Sequence, residues 1–236
     1  MVWDKQISFN DPVSDNLKYM ILYHGSVMAV CVLVMVVVCS GFGFVLVSWL
    51  NKDSFCNEYN KNDLVETLWT GLPMIFLVVL CVPSLNLLYY SGLRASGYDL
   101  NIKVIGHQWY WSYEYNINHK ECSFDSYMEP LSSEGLDEGM ILFMDVDNRC
   151  VIPSSKLIRM LYTSMDVIHS WFIPSFGFKN DCVPGRIGSS SLMVKEPGVY
   201  YGFCTELCGA MHSEMPIVVE VLPSSYFYKW AEVLAG

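Results

Sequence analysis

Four side chains near the C-terminal end of the sequence make up a ligand set for a soft metal. In the segment CTELCGAMHSEM, residues 204–215, the spacing Cys-x3-Cys-x3-His-x2-Met puts Cys204, Cys208, His212 and Met215 on one short loop. Two thiolates, an imidazole and a thioether favour copper over hard cations, which prefer oxygen. A structural zinc site draws on Cys and His in tetrahedral sets and has no need of Met. A mononuclear blue-copper site uses one Cys, two His and a weak Met, so the second cysteine is informative. Two thiolates can bridge two copper ions, share one electron between them and keep the geometry change on reduction small. The loop is then one imidazole short, and His169, in the run DVIHSW at residues 166–171, is the best-placed candidate. The competing reading of the loop is a redox or structural thiol pair that happens to precede a His and a Met.

A second cluster lies upstream in the run GHQWYWSYEY, residues 106–115. Alternation along a strand would bury Trp111, Tyr113 and Tyr115 on one face. An exposed indole beside acidic groups is a docking anchor for a basic redox protein, which makes Trp109 the candidate contact and Glu114, Asp147 and Asp166 candidates for an acidic rim. The formal charge of -10 agrees with a basic protein partner and argues against nucleic acid, whose phosphates an acidic face repels.

These residues need a scaffold, and the chain divides by composition into an anchor and a β domain. Residues 1–18 are polar and mixed in charge, with neither a basic n-region nor an Arg-rich transit pattern, so no removable targeting segment is expected. Residues 27–50 are uncharged and would span roughly 36 Å as a helix, enough to cross a bilayer with some tilt. A second uncharged stretch, 67–93, is interrupted by Pro73 and Pro83, which spanning helices tolerate. Trp49 and Trp69 flank the connecting loop, while Tyr19, Tyr23, Tyr89 and Tyr90 mark the far ends, as interfacial aromatics do. The expected anchor is therefore a transmembrane helical hairpin over residues 1–93, with helices at about 22–50 and 66–93. The charges of the connecting loop give no orientation. Nine cysteines make an odd count, and Cys31, Cys39 and Cys81 lie inside apolar runs, which argues against a disulfide framework for the set.

Residues 94–236 read as an all-β domain, with short β-branched or apolar runs at 101–105, 140–146, 156–163, 191–194, 199–203 and 217–222 between turn residues. Residues 226–234 read as a C-terminal helix capped by Ser224.

Taken together these motifs resemble subunit II of cytochrome c oxidase over nearly the whole length. The resemblance rests on GHQWYWSYEY, VDNR at 146–149, DVIHSW, PGR at 184–186, the Cys204–Met215 loop, and ETLWTGLP at 66–73 with PSL at 83–85 in the second apolar stretch. It implies a cupredoxin-like Greek-key β-barrel that holds a dinuclear copper A centre above the membrane, docked on the haem-bearing subunit I. The ligands it implies are His169, Cys204, Cys208, His212, Met215 and the backbone carbonyl of Glu206. The Glu206 carboxylate would also reach a magnesium ion at the subunit I boundary. Trp109 would be the point where electrons arrive from cytochrome c. Glu66 would stand at the mouth of a proton path shared with subunit I, and Lys179, Asp181 and Arg186 near the boundary with that subunit. The expected location is the mitochondrial inner membrane with the β domain facing the intermembrane space; a bacterial plasma membrane is the alternative.

Several positions depart from the family pattern. Phe203 and Met211 replace polar neighbours of the ligands, Asn86 replaces a membrane-edge Arg, and Glu214 adds a charge beside Met215. Two other classes compete. A thioredoxin-type copper chaperone also uses Cys-x3-Cys with a distant His, but lacks the His-x2-Met and has one spanning helix. A quinol-oxidase subunit II keeps the fold and loses the copper ligands, all of which are retained here.

Overall fold

The computed structural model describes residues 8–51, 61–92, 97–117, 120–129 and 143–236. It divides into two compact units, one of Tyr19–Tyr89 and one that joins the segment ending at Lys18 to Tyr90–Gly236.

The first unit is built on two helices, α1 (Asp15–Leu50) and α2 (Asp63–Ser91). Both are long and apolar enough to cross a membrane, and their spanning windows are not buried within the protein. Helix α1 starts seven residues earlier than hydropathy suggests. Ser14 Oγ accepts the Leu17 N–H at 3.1 Å as an N-cap, and Asp15 supplies negative charge to the first turn. Hydropathy marks the apolar stretch, whereas the cap marks the helix. Asn62 Oδ1 caps α2 in the same way, from the Val65 N–H at 3.2 Å, with Asp63 and Glu66 in the first turn. Pro73 and Pro83 lie inside α2, which continues through both.

The N-terminal segment belongs with the β domain, so the expected division at residue 93 is not where the compact units part. Ser14 bridges Val194, its Oγ donates to the Phe176 carbonyl at 2.6 Å, and Leu17 is 1% exposed.

The β domain is two five-stranded sheets. One runs β3 (Lys120–Ser126), β2 (Tyr110–Ile117), β1 (Leu100–His107), β5 (Ile158–Ser164), β8 (Gly188–Leu192); the other runs β4 (Cys150–Pro153), β10 (Pro216–Leu222), β9 (Gly198–Cys204), β6 (His169–Ile173), β7 (Phe178–Cys182). The chain crosses between the sheets repeatedly, and where it returns it leaves two parallel pairs, β1 with β5 and β10 with β4. This is the all-β, cupredoxin-like architecture the sequence leads one to expect. Alternate residues of each strand face inward, so Ile102, Val104, Trp111, Tyr113, Tyr115, Ile217 and Val219 fill the shared core.

Two local expectations change. Of the run 140–146, residues 140–142 lie outside the described residues, Phe143 and Met144 form a turn, and Val146 makes only an isolated bridge to Met128. The C-terminal helix α3 (Ser224–Ala235) includes Ser224 rather than being capped by it. Pro223 occupies the cap without a side-chain bond, and Ser224 Oγ donates to the Ser154 carbonyl at 3.4 Å. Phe227 and Ala231, one turn apart, are each 1% exposed against the sheet, and Trp230 meets Tyr115 edge to face at 5.4 Å. Burying a Phe of this kind contributes roughly 1.5–3 kcal/mol.

Candidate metal centre

Strand pairing brings the two halves of the predicted ligand set together. β6 and β9 run antiparallel with Trp171 opposite Cys204, and the Thr205 N–H donates to the Ser170 carbonyl at 3.1 Å. That register puts Cys204, the last residue of β9, beside His169, the first of β6. The loop then turns through a single 3-10 turn, His212–Glu214, and Met215 leads into β10. The Met215 carbonyl accepts the buried Trp111 Nε1–H at 3.4 Å.

The donor atoms converge. Cys204 Sγ lies 3.9 Å from His169 Nδ1, 4.0 Å from Cys208 Sγ and 3.3 Å from the Glu206 carbonyl oxygen. Cys208 Sγ lies 3.3 Å from His212 Nδ1 and 3.5 Å from Met215 Sδ. Donors bound to one metal at about 2.0–2.3 Å in tetrahedral array stand roughly 3.4–3.8 Å apart, so this spacing suits ligands that share ions. His169 is wholly buried, and Cys204, Cys208 and Met215 are nearly so.

The thiols ionise unequally. Burial resists ionisation of both, but the His169 hydrogen bond and backbone amides turn the balance for Cys204, whose thiol falls below its ordinary value. Cys208 is driven up, first by burial and then by the Cys204 thiolate beside it. A second thiolate in this space needs a cation to neutralise it, and two thiolates with imidazole and thioether donors suit a soft metal.

The site is not a bare thiol pair, because two imidazoles, a thioether and a carbonyl all face its two sulfurs. A thioredoxin-type chaperone also fails to account for a domain made of two β-sheets.

The family described as cytochrome c oxidase subunit II, periplasmic domain, matches residues 100–222, and the transmembrane domain of the same subunit matches residues 3–87. The chain belongs to the cytochrome c oxidase subunit II family. Subunit II is part of the haem–copper oxidase complex, an oxidoreductase, and its domain order makes this chain a membrane-anchored subunit with the C-terminal domain on the outer side. The periplasmic domain of subunit II from Bradyrhizobium japonicum is 38% identical, with a TM-score of 0.53 over 60% of this chain and 96% of that one. A mixed-disulfide intermediate of the thioredoxin-like protein TlpA with a cytochrome c oxidase subunit II contains a domain 38% identical, with a TM-score of 0.51 over 61% of this chain and 95% of that one.

The other residues expected to act in a subunit II fall in different places. Trp109 sits half-buried in the β1–β2 turn against the metal loop, where a methyl group on Gly209 would lie 3.1 Å from its Cζ2. Gly209 has φ +124, a second reason for glycine there. Glu114 is ion-paired with Lys103 at 2.8 Å, and Asp147 is exposed, accepting the Tyr127 N–H at 2.8 Å. Asp166 is engaged inward: its Oδ1 lies 2.8 Å from His169 Nε2 and its Oδ2 accepts the Gln108 N–H at 2.6 Å. Glu66 is exposed in the first turn of α2, and Lys179, Asp181 and Arg186 are exposed on and after β7.

Phe203 is adjacent to Cys204 in β9 and so points to the opposite face, where it meets Phe172 edge to face at 5.8 Å. The substitution therefore leaves the ligand side of the strand untouched. Met211 is 41% exposed, and nothing in the structure explains Glu214.

Two contributors escaped the sequence reading. Gln108 Nε2 donates to the Cys208 carbonyl at 2.8 Å, and Gly106 abuts the His169 ring. Both lie in the GHQWYWSYEY run, yet only the packing of β1 against β6 gives them a role.

Proposed function

We propose that this chain is the electron-accepting subunit of cytochrome c oxidase: it takes electrons from reduced cytochrome c at a dinuclear copper A centre and hands them to the haem-bearing subunit I, where oxygen is reduced and protons are pumped. The observation that carries this reading is the convergence of six donors, His169 Nδ1, Cys204 Sγ, the Glu206 carbonyl, Cys208 Sγ, His212 Nδ1 and Met215 Sδ, in one largely buried cluster.

His169, Cys204, Glu206, Cys208, His212 and Met215 would hold the metal. When bound, such a centre supplies one-electron storage shared by two copper ions. The chain's residues do the remaining work. Three strands, β6, β9 and β10, fix the donors so that little moves when charge changes. Burial of the cysteines and of His169 keeps water, and its reorganisation, away. Trp109, packed on Gly209 next to Cys208, would be the point where electrons enter the chain. Acidic Glu114 and Asp147 would steer a basic cytochrome. The Glu206 carboxylate would contribute to a magnesium site shared with subunit I, Glu66 to the mouth of a proton path, and Lys179, Asp181 and Arg186 to the contact with that subunit. The lipid bilayer is the partner of α1 and α2. The membrane is proposed to be the mitochondrial inner membrane, with the β domain in the intermembrane space.

Metal analysis and EPR of the full chain in detergent test the reading. Two coppers per chain are expected, with the unpaired electron of the mixed-valence form coupled to both nuclei. One copper, or zinc, refutes it. In the assembled oxidase, Trp109→Ala should lower cytochrome c turnover steeply, and turnover should fall with rising salt as charged encounter is screened.

A further inference from the structure

Asp166 was expected on the sequence to be a docking charge, but its carboxylate is committed elsewhere. Oδ1 lies 2.8 Å from His169 Nε2 and accepts the Val167 N–H at 2.6 Å, while Oδ2 accepts the Gln108 N–H at 2.6 Å. Gln108 in turn donates through Nε2 to the carbonyl of Cys208 at 2.8 Å. The result is a closed frame: ligand His169, Asp166, Gln108, ligand Cys208. Trp109 is the next residue along the chain and rests on Gly209, the next residue after Cys208.

We propose that Asp166 is a positioning residue that locks His169 and the Gln108–Trp109 turn into one frame, so that the ligand geometry and the site of electron arrival are set by the same carboxylate. The inference rests on reading the cluster as a copper site. With its Nε2–H given to Asp166, the imidazole presents Nδ1 towards Cys204, which fixes both the tautomer and the ring orientation. A carboxylate partner also makes the imidazole a stronger donor to a metal. The second oxygen is what distinguishes this residue from an ordinary ligand brace, because it extends the same constraint to the backbone that carries Trp109. A neighbouring network keeps the frame from swinging: Ser164 Oγ donates to the Val167 carbonyl at 2.5 Å, and the Met165 N–H to the Gly106 carbonyl at 3.1 Å.

The test uses the full chain in detergent, wild type, Asp166→Asn and Glu121→Gln, the last removing one exposed charge from β3. Asparagine keeps the shape but cannot accept from both His169 and Gln108. Copper affinity is measured by chelator competition, the loaded site by absorption and EPR, and electron arrival by the rate of reduction with a small uncharged reductant. Asp166→Asn is expected to lower copper affinity roughly 10–100-fold, as loss of such a partner does. It should also shift the spectrum and slow reduction by the uncharged reductant, with Glu121→Gln matching wild type in all three. If Asp166→Asn changes only the salt-dependent rate with cytochrome c, Asp166 is a docking charge and the proposal is overturned. Should that variant not fold, Asp166→Glu, which keeps the charge and alters the reach, is read the same way, and an unchanged spectrum and affinity overturn the proposal. Failure of the wild type to bind two coppers instead refutes the copper reading on which this rests.

Discussion

Gly106 is the position where one added methyl group should disable the site without any ligand residue being replaced. A Cβ built there would lie 2.8 Å from Cδ2, 2.9 Å from Cγ and 3.0 Å from Cβ of His169. Carbon atoms rest at about 3.5–4.0 Å, so ring and strand must part by roughly 0.5–1 Å. The imidazole has little room to yield: His169 is fully buried, held by Asp166 at 2.8 Å, and packed against Trp111 with ring centroids 5.9 Å apart. Metal–ligand distances tolerate about 0.2 Å, so the displacement is several times what the site can absorb. Gly106 does not adopt the left-handed backbone, which makes the effect steric rather than conformational. Overpacking of this kind costs roughly 1–3 kcal/mol, and each kcal/mol lowers Tm by about 2–4 °C in a domain of this size. The expected outcome for Gly106→Ala is a Tm lower by roughly 2–12 °C and copper affinity reduced by about 10-fold or more. Gly188→Ala is the control, since its Cβ would meet nothing closer than 3.8 Å. Thermal unfolding of the full chain in detergent and chelator competition read both quantities. A Gly106→Ala protein with wild-type Tm and copper affinity would refute the steric argument.

Two further outcomes follow from features away from the metal. Ser14→Ala removes both the cap of α1 and the bond to the Phe176 carbonyl, so the helix start should lose about 0.5–2 kcal/mol; hydrogen exchange at the Leu17 amide should quicken accordingly, and an unchanged rate would show that the cap contributes nothing. Burial pushes the Cys150 thiol up from 9.0 to about 12. The associated stability is complete below pH 9, where the thiol is neutral folded or unfolded, and is lost as pH rises through the folded value, at about 1.4 kcal/mol per pH unit for each proton. Tyr113, Tyr115 and Tyr162, also pushed up by burial, act in the same direction. Between pH 9 and 12, Cys150→Ala should therefore show a slope of stability against pH shallower by one proton than the parent, and equal slopes would contradict the linkage.

Much of the site was legible because ligand chemistry is local. The loop from Cys204 to Met215 carries its donors at short intervals, and a soft ligand set declares itself by residue type. The spanning helices were legible for a related reason: length and apolarity are sums over consecutive residues. Helix starts were less so, since the cap of α1 lies in polar sequence that hydropathy passes over, and Ser224 looked like a cap until Pro223 took that position.

What the sequence by itself determined was the inventory of donors and the order of anchor and β domain. Tertiary structure decided which neighbours those donors have. Asp166 and Glu114 both read as surface acids, yet Asp166 spends its two oxygens on His169 and Gln108 while Glu114 pairs with Lys103 across β1 and β2. Phe203 looked like a change beside the ligands until the pleat of β9 turned it away. The physical reason is that a hydrogen bond depends on position to a few tenths of an ångström, and positions on separate strands are fixed only when the sheets pack.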